Sequence, residues 1–271
     1  MEYENIEEIN SWKEIDVSDD FQKRASNFDK MSRWVMDKNI NNIPFELLLH
    51  RKELGDLFDA GGGTGYLSFY LTNRMPATSI TIVDASTNML LKAKERIPNA
   101  IVVNKSIEDY CSVEKRKFDT ILARQIFHYV DDVNLIISLL KEKLKENGIL
   151  YVGQFVVLDK ETSTWNNSLM QKISHSRKRS LVISDFVNLF IQNGFKVVRF
   201  ITTNYEENLK DFYNRRTNNE ISYDKLLSDM IALVSENIKE KMSVKVIYDN
   251  MFFSYQFCHM TLIDSKDISK K

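Results

Sequence analysis

The chain has 271 residues, of which 43% are hydrophobic and 28% are charged, a composition typical of a soluble globular domain with a sizeable core. The formal net charge is −1, which argues against a general nucleic-acid binder because such proteins usually carry a basic surplus. The acidic N-terminus lacks the apolar segment of a secretory signal, and no run of about 18 apolar residues occurs. We therefore expect a cytoplasmic protein with no membrane or nucleic-acid partner.

Short apolar runs alternate with helical segments along most of the chain. Residues 1–50 are polar and helical in character and precede the first apolar run. Strands that alternate with helices predict a parallel sheet covered on both faces. The predicted strands are residues 54–60, 79–83, 100–103, 118–123, 149–158, 195–200 and 251–263.

Three predicted helices begin at side chains that can cap them, since Ser and Asp accept hydrogen bonds from the first free backbone N–H groups. The sequence Asn147-Gly148 is expected to end the helix that begins near Asp131. The helices begin near Ser86, Asp131 and Ser184 and end near residues 97, 146 and 193. Residues 160–182 and 205–245 interrupt the alternation, and the second of these segments predicts a helical insert before the last strand.

The two cysteines, Cys111 and Cys258, lie far apart in the sequence beside apolar residues. This arrangement predicts buried thiols rather than a disulfide framework. Neither His175 nor His259 has the spacing to Cys, Asp or Glu that a metal site requires, so no metal is predicted.

A glycine-rich turn, DAGGGTG at residues 59–65, follows the first predicted strand. Asp59 ends the strand, Gly61, Gly63 and Gly65 follow, and a helix begins at once. Glycines allow positive φ and let a ligand approach the backbone without an intervening β-carbon. In an open α/β sheet, this strand-to-helix turn faces the ligand crevice.

The spacing of these glycines does not match the dinucleotide fingerprint G-x-G-x-x-G. A count from Gly61 places Tyr66 where the third glycine must stand, and counts from Gly62 and Gly63 also fail. The turn therefore argues against a nicotinamide-dependent oxidoreductase.

Asp84 ends the second predicted strand, 19 residues after Gly65. A carboxylate at this place can accept hydrogen bonds from both hydroxyls of a ribose. The alternative is a structural acid at a helix N-terminus next to Ser86, where the helix dipole favours negative charge. The repeated order of strand, acid and helix favours the ribose interpretation.

These motifs resemble those of the class I S-adenosylmethionine-dependent methyltransferases over residues 54–200. The resemblance implies that residues 59–65 face the methionine part of S-adenosylmethionine, that Asp84 binds its ribose, and that Ile107 and Glu108 flank its adenine. The family more often has Asp at or near Ser106. The cofactor-binding residues that the resemblance implies are Asp59, Ala60, Gly61, Gly63, Gly65, Asp84, Ala85, Met89, Ser106, Ile107, Glu108 and Arg124.

The family resemblance also implies the fold: a Rossmann-like seven-stranded α/β sheet of order 3-2-1-4-5-7-6 with the last strand antiparallel. Residues 27–31, NFDKM, resemble a lid helix of this family. We expect a single domain over residues 1–271. Its expected parts are N-terminal lid helices at residues 1–50, a cofactor-binding core at 51–204, a helical cap insert at 205–248 and the last strand at 249–264.

His128 follows the fourth predicted strand in the sequence ARQIFH, which is similar to the family's segment beneath the sulfonium. The subgroup with a His there includes the ubiquinone and menaquinone biosynthesis methyltransferases and many secondary-metabolite enzymes. An imidazole there can act as a general base near neutral pH, or it can pack on the cofactor or cap a carbonyl. Arg124 is expected to orient the cofactor or an anionic acceptor, or to form an ordering salt bridge.

Several aromatic residues are candidates for a lid or for an acceptor pocket, with ordinary core packing as the alternative. A basic cluster of Lys172, Arg177, Lys178 and Arg179 either steers an anionic substrate or is a solvated loop. The candidates for the lid or the pocket are Phe28, Met31, Trp34, His128, Trp165 and Tyr255.

The leading functional hypothesis is methyl transfer from S-adenosylmethionine to an O, N or C nucleophile of a small molecule, by in-line displacement in a closed pocket. Positioning can supply much of the rate because the reagent is already activated. The alternatives are an RNA or protein methyltransferase, a protein that binds S-adenosylmethionine without methylating and, as the weakest, an NAD-dependent oxidoreductase. The expected state is a monomer or a homodimer.

Overall fold

The computed structural model describes residues 21–22, 25, 28–173, 177–215 and 221–267. Asn27 and His175 lie outside these ranges, and the side chain of Met31 also lies outside what is described.

A single mixed sheet organises the molecule. Its order is β3-β2-β1-β4-β5-β8-β6, and the short β7 pairs with β8. Strands β1 to β5 pair in parallel, whereas β8 is antiparallel to β5, β6 and β7. The eight strands are β1 Gly55–Ala60, β2 Ala77–Asp84, β3 Ile101–Asn104, β4 Phe118–Arg124, β5 Leu144–Val156, β6 Phe195–Asn208, β7 Lys245–Ile247 and β8 Asn250–Asp264.

The predicted Rossmann-like sheet order is confirmed, with β8 in the place of the expected seventh strand. The three-residue β7 is an addition that the sequence did not predict. Strand β6 also extends beyond the expected residue 200, because its pairing with β8 continues as far as Asn208 opposite Phe252.

Helices cover both faces of the sheet and its carboxyl end. Within the described residues they are α1 Phe28–Met31, α2 Arg33–Met36, α3 Lys38–Leu48, α4 Tyr66–Thr72, α5 Thr87–Arg96, α6 Ile107–Val113, α7 Val133–Glu142, α8 Lys160–Ile173, α9 Ile183–Gln192, α10 Leu209–Asn214, α11 Tyr223–Ala232 and α12 Glu236–Lys241.

Two predicted helix boundaries are wrong. Helix α7 ends at Glu142 rather than at residue 146, because Leu144 already pairs with Phe118 of β4. Helix α9 has Val182 rather than Ser184 at its N-cap. The Ile183 backbone N–H donates a hydrogen bond to the Val157 carbonyl at 2.9 Å. This tertiary contact satisfies a free N–H at the helix start, as a capping side chain does in other helices.

Neighbouring residues of each central strand enter different apolar clusters, since successive side chains of a strand point to opposite faces. Ile121 and Ala123 pack with α6, α7 and α9, whereas Leu122 packs with α3, α4 and α5. A third cluster joins the ends of β5 and β8 to α8, α11 and α12. Cys111 and Cys258 are buried free thiols, as predicted.

Candidate functional site

The glycine-rich turn at residues 59–65, here called the glycine loop, lies between β1 and α4. Gly61, Gly63 and Gly65 have φ values of 64°, 54° and 67°, which are strained for residues with a side chain. The Gly62 N–H donates to the Val83 carbonyl at 3.1 Å and fixes the loop against the end of β2.

Gly63 differs from the other glycines of the loop in what surrounds it. A Cβ built at Gly61 would lie 2.5 Å from Ile126 Cγ2, and one at Gly62 would lie 2.6 Å from Ile82 Cγ2. A Cβ at Gly65 would lie 3.1 Å from Ala93 Cβ, whereas nothing lies within 4 Å at Gly63. Packing therefore requires glycine at three positions, and the fourth opens onto space in which a ligand can approach the backbone.

The Asp84 carboxylate is held next to this opening. Its Oδ2 accepts a hydrogen bond from the Gly63 N–H at 2.9 Å, and its Oδ1 accepts one from the Ser86 N–H at 2.9 Å. Burial raises the pKa of Asp84, and these two bonds oppose the shift. Each carboxylate oxygen can accept a second hydrogen bond, so the group is fixed in place yet able to bind hydroxyls.

Asp59 lies beneath the loop and is only 2% exposed. Its Oδ2 accepts a hydrogen bond from Ser68 Oγ at 2.6 Å, which ties β1 to α4. Burial raises the pKa of Asp59 to about 6, against the lowering effects of the Ser68 bond and of Arg124.

The predicted adenine segment lies beside the same loop. Ser106 caps α6 by accepting a hydrogen bond from the Asp109 N–H at 3.0 Å, and Glu108 is half-buried in the first turn. Ile107 is buried, and its Cδ1 would lie 3.8 Å from a Cβ at Gly61. Ala85 and Met89, on either side of the Ser86 cap, are also buried.

An N-terminal segment crosses these turns. Gln22 Oε1 accepts hydrogen bonds from Ser86 Oγ at 3.2 Å and from the Asn88 N–H at 3.1 Å. Asp29 accepts from Thr64 Oγ1 at 2.7 Å and forms a 2.5 Å ion pair with Arg96. The segment thereby connects the turn after β2 to the glycine loop.

Arg124, at the end of β4, has a partly buried guanidinium that contacts the N-terminal helices. Its Nη1 donates to Asn41 Oδ1 at 2.8 Å, and its Cζ lies 5.1 Å from the centre of a Trp34 ring. Burial lowers the pKa of Arg124, and Asp59 and Tyr151 oppose that shift. Within the described residues, this arginine joins α2 and α3 to the sheet.

A pocket with largely aromatic walls, here called the aromatic pocket, lies beyond the end of β4. It encloses about 640 Å³ of space that protein atoms do not occupy, part of it open to solvent. Its lining residues are Phe28, Ser32, Trp34, Gln125, His128, Tyr129, Phe155, Arg177, Tyr205, Glu207, Phe212, Arg215 and Tyr255.

Four of the predicted lid or pocket residues meet in the aromatic pocket: Phe28, Trp34, His128 and Tyr255. Trp165 does not line it. Its indole is 2% exposed, packs edge-to-face on Phe253 and donates from Nε1 to the Met230 carbonyl at 3.3 Å.

A buried row of polar side chains forms one wall of the pocket. Gln154 Nε2 lies 2.7 Å from His128 Nδ1, 3.2 Å from Gln125 Oε1 and 3.3 Å from the Phe155 carbonyl. Because Gln154 donates here, His128 Nδ1 is the acceptor, and the neutral imidazole carries its proton on Nε2.

An ion pair forms another part of the lining. Arg215 Nη2 lies 2.5 Å from Glu207 Oε1, and the Asn208 N–H also donates to that oxygen at 3.1 Å. Burial raises the pKa of Glu207, whereas Arg215 lowers it. Sequence reasoning missed these two residues because it ended β6 at residue 200, and the alternation of buried Tyr205 and Glu207 was the available signal.

The predicted basic cluster is mostly paired. Lys172 forms a 3.0 Å ion pair with Asp229, Lys178 pairs with Asp131, and Arg179 donates to the Asp131 carbonyl at 2.8 Å. Arg177 differs, since it lines the aromatic pocket.

The described residues contain neither a candidate metal cluster nor a candidate membrane-spanning helix. No group of three or more His, Cys, Asp or Glu side chains in that part of the chain is arranged to hold a metal ion. Among the same residues, no helix combines the length and apolarity needed to cross a membrane.

Comparisons with known proteins agree with this architecture. Residues 58–152 match a family model described as a methyltransferase domain. A malonyl-[acyl-carrier protein] O-methyltransferase of Acetivibrio thermocellus is 28% identical over 135 residues, which are 50% of this chain and 47% of the relative. The chain thus spans about half the length of that relative. A ubiquinone biosynthesis O-methyltransferase of Bartonella tribocorum is 25% identical over 62% of this chain and 70% of its own length.

A solved structure supports the fold. The S-adenosylmethionine-dependent methyltransferase of Geobacter sulfurreducens, in complex with S-adenosylhomocysteine, superimposes with a TM-score of 0.54 at 15% identity, over 85% of this chain and 92% of that one. Residues 58–152, which match the family model, contain the glycine loop, Asp84 and residues 106–128. Residues 58–152 therefore match a methyltransferase domain, and the chain around them has the fold of the S-adenosylmethionine-dependent methyltransferase of Geobacter sulfurreducens.

Proposed function

We propose that this chain transfers the methyl group of S-adenosylmethionine to a nucleophilic O, N or C atom of a small molecule bound in the aromatic pocket. The observation that carries the proposal is a juxtaposition. The segment after β4 supplies Ile126, which contacts the glycine loop, and also Gln125 and His128, which line the pocket. A cofactor at the loop and an acceptor in the pocket would therefore share that segment as a common wall.

The residues present fit S-adenosylmethionine. Gly63 offers its backbone to open space, and the fixed Asp84 carboxylate can accept the two ribose hydroxyl protons. Ile107 offers an apolar surface beside the loop. The bound cofactor supplies an activated methyl group on a sulfonium. The chain positions the two partners and excludes water, which are effects worth up to about 7–11 kcal/mol in favourable cases.

We propose that His128 shapes the wall of the aromatic pocket and orients the acceptor. Its Nδ1 accepts from Gln154, so the atom that would have to receive a proton is already occupied. The expectation that His128 is a general base stays a prediction, and the pH dependence of the rate tests it.

For Arg124, the contacts with Asn41 and Trp34 support a positioning part. We propose that it holds the N-terminal helices over the crevice rather than binding the cofactor directly. The whole of residues 1–271 would then act as one domain, in which residues 1–50 and 205–248 close the site.

A small acceptor is the favoured class because the pocket is bounded by several separate parts of the chain. Trp34, Phe155, Tyr205 and Phe212 come from α2, β5, β6 and α10 and leave a limited volume between them. Two relatives are named a malonyl-[acyl-carrier protein] O-methyltransferase and a ubiquinone biosynthesis O-methyltransferase, which supports biosynthetic O-methylation without naming the acceptor. We propose a cytoplasmic enzyme that is a monomer or a homodimer.

The test has two separate parts. Calorimetric titration with S-adenosylmethionine and S-adenosylhomocysteine should give binding of one ligand per chain. Incubation with methyl-labelled S-adenosylmethionine and fractionated cell extract should then transfer label to the small-molecule fraction. Label in the RNA or protein fraction would contradict the acceptor class, and binding without any transfer would indicate a non-methylating protein.

A further inference from the structure

Gln125 has an unusual conformation at the wall between the glycine loop and the aromatic pocket. Its φ is 60°, in a region that non-glycine residues rarely adopt, and its N–H donates to the Gly153 carbonyl at 2.8 Å. Such a conformation is strained and persists where the surrounding structure determines it. The side chain is 8% exposed and lines the pocket.

Within the described structure, only the oxygen of the Gln125 side-chain amide has a hydrogen-bond partner. Its Oε1 accepts from Gln154 Nε2 at 3.2 Å, whereas its own Nε2 is buried and has no hydrogen-bond partner. The orientation of Gln154 is set by the Phe155 carbonyl, which can only accept. This places Gln125 Oε1 against Gln154 and leaves the Gln125 N–H groups as unpaired donors.

An unpaired buried amide donor destabilises the ligand-free protein, so a ligand that accepts a hydrogen bond from it gains affinity. A further donor that lines the pocket is Arg177. Among the described residues its side chain makes one hydrogen bond, from Nε to the Arg179 carbonyl at 3.4 Å. Its terminal N–H groups are therefore available, and a planar guanidinium matches the geometry of a carboxylate.

The other charges that line the pocket balance each other. Glu207 and Arg215 form a 2.5 Å ion pair, so Arg177 leaves an excess of one positive charge. The remaining walls are largely aromatic: Phe155 lies 5.3 Å from both Tyr205 and Tyr255 and 5.9 Å from Trp34, between ring centres. These walls favour a flat or apolar carbon skeleton.

We propose that the acceptor is a small carboxylate whose skeleton lies against these rings and whose carboxylate accepts hydrogen bonds from Gln125 Nε2 and Arg177. That the carboxylate is the methyl acceptor rests on the proposed function, whereas its binding in the pocket does not. Gln125 is then a substrate-binding residue, and Arg177 selects for negative charge.

Three aromatic probes of similar size test the charge: benzoate, benzamide and benzylammonium. Their binding is measured by saturation-transfer NMR and calorimetry, with and without saturating S-adenosylhomocysteine. We expect benzoate to bind at least about tenfold more tightly than benzamide, since charge-assisted hydrogen bonds are about twice as strong as neutral ones. Benzylammonium should bind more weakly still.

Variants assign the effect to the two residues. Gln125→Glu keeps the oxygen that accepts from Gln154 and replaces the free donor by a charged acceptor, and Arg177→Gln removes the positive charge. Each should weaken benzoate binding by about tenfold or more and leave benzamide within about threefold. The matched control is Lys178→Gln, which removes a neighbouring cation that pairs with Asp131 and does not line the pocket.

If Gln125→Glu does not fold, Gln125→Asn carries the test, because Asn tolerates positive φ and its shorter side chain withdraws the donor. Equal or tighter binding of benzamide or benzylammonium, binding of none of the probes, or benzoate binding unchanged in both variants overturns the carboxylate proposal. Failure to bind S-adenosylhomocysteine overturns the proposed function alone, since benzoate is also measured without it.

Discussion

The two halves of the crevice are built in different ways. The cofactor half consists of turns that follow β1, β2 and β3, and all of its proposed residues fall within residues 59–108. The aromatic pocket draws its lining from residues 28 to 255, on helices, strands and loops far apart in the sequence. Turns at one edge of a parallel sheet keep a fixed geometry, because backbone pairing holds the strand ends together. The pocket instead depends on where inserted segments pack, so the two halves can be altered independently.

The largest effect that we expect is at Gly63, and it tests whether the cofactor half can be altered without altering the aromatic pocket. Gly63→Val places a branched side chain in the open space and forces it to a φ of 54°. We expect the dissociation constant for S-adenosylhomocysteine to rise by more than about 100-fold, equivalent to about 2.7 kcal/mol. Carboxylate-probe binding in the aromatic pocket should stay within about threefold.

The control for backbone strain is Gly194→Ala. Gly194 has a φ of 74°, and its Cβ would meet only the end of the flexible Lys141 side chain, away from the crevice. This variant should lower the melting temperature without changing affinity for S-adenosylhomocysteine. Comparable loss of binding in both variants would mean that strain rather than occupied space explains the Gly63 result.

The second prediction concerns Asp59, which supports the cofactor half from below. Its pKa is raised to about 6 from 3.8, so the folded protein retains a proton that the unfolded chain has lost between about pH 4 and pH 6. This group therefore lowers the free energy of unfolding as pH rises through that window, and its cost is full above about pH 6. We compare the free energy of unfolding of Asp59→Asn with that of the native protein at two pH values. Between pH 4 and pH 7.5 this difference should shift in favour of the variant by about 1–3 kcal/mol.

Urea denaturation at several pH values measures this difference. Asp109→Asn makes the same change at an exposed carboxylate and is the matched control. A constant difference for Asp59→Asn would show that its carboxyl group does not titrate in this window.

The smallest predicted effect is at His128, in the acceptor half. We expect His128→Asn, which can still accept from Gln154, to lower kcat by less than about tenfold and to leave affinity for S-adenosylhomocysteine unchanged. His128→Ala should reduce kcat further, because Gln154 Nε2 loses its shortest hydrogen bond, the one to His128 at 2.7 Å. Rates are measured with labelled S-adenosylmethionine across pH 5.5–9, a range of roughly 3 units around the ordinary pKa of His.

A loss of about 100-fold or more in both His128 variants, together with loss of the acidic limb of the pH–rate profile, would instead establish a general base. That outcome would also favour an acceptor that must lose a proton, and it would count against an acceptor that is already anionic.

The sequence by itself predicted the alternation of strands and helices and, through its family resemblance, the sheet order that the structure confirms. It also located the proposed cofactor half. Apolar strands, the glycine spacing and Asp84 are local signals, because each describes one strand end and the turn after it. The tertiary structure decided the rest. It placed Glu207 and Arg215 in the pocket through the extension of β6 along β8, and it replaced a cap at Ser184 by the Val157 carbonyl. It also left the Gln125 donor unpaired through a contact with Gln154. These features arise from contacts between residues distant in sequence, and no local pattern encodes which distant backbone or side chain will satisfy a given polar group.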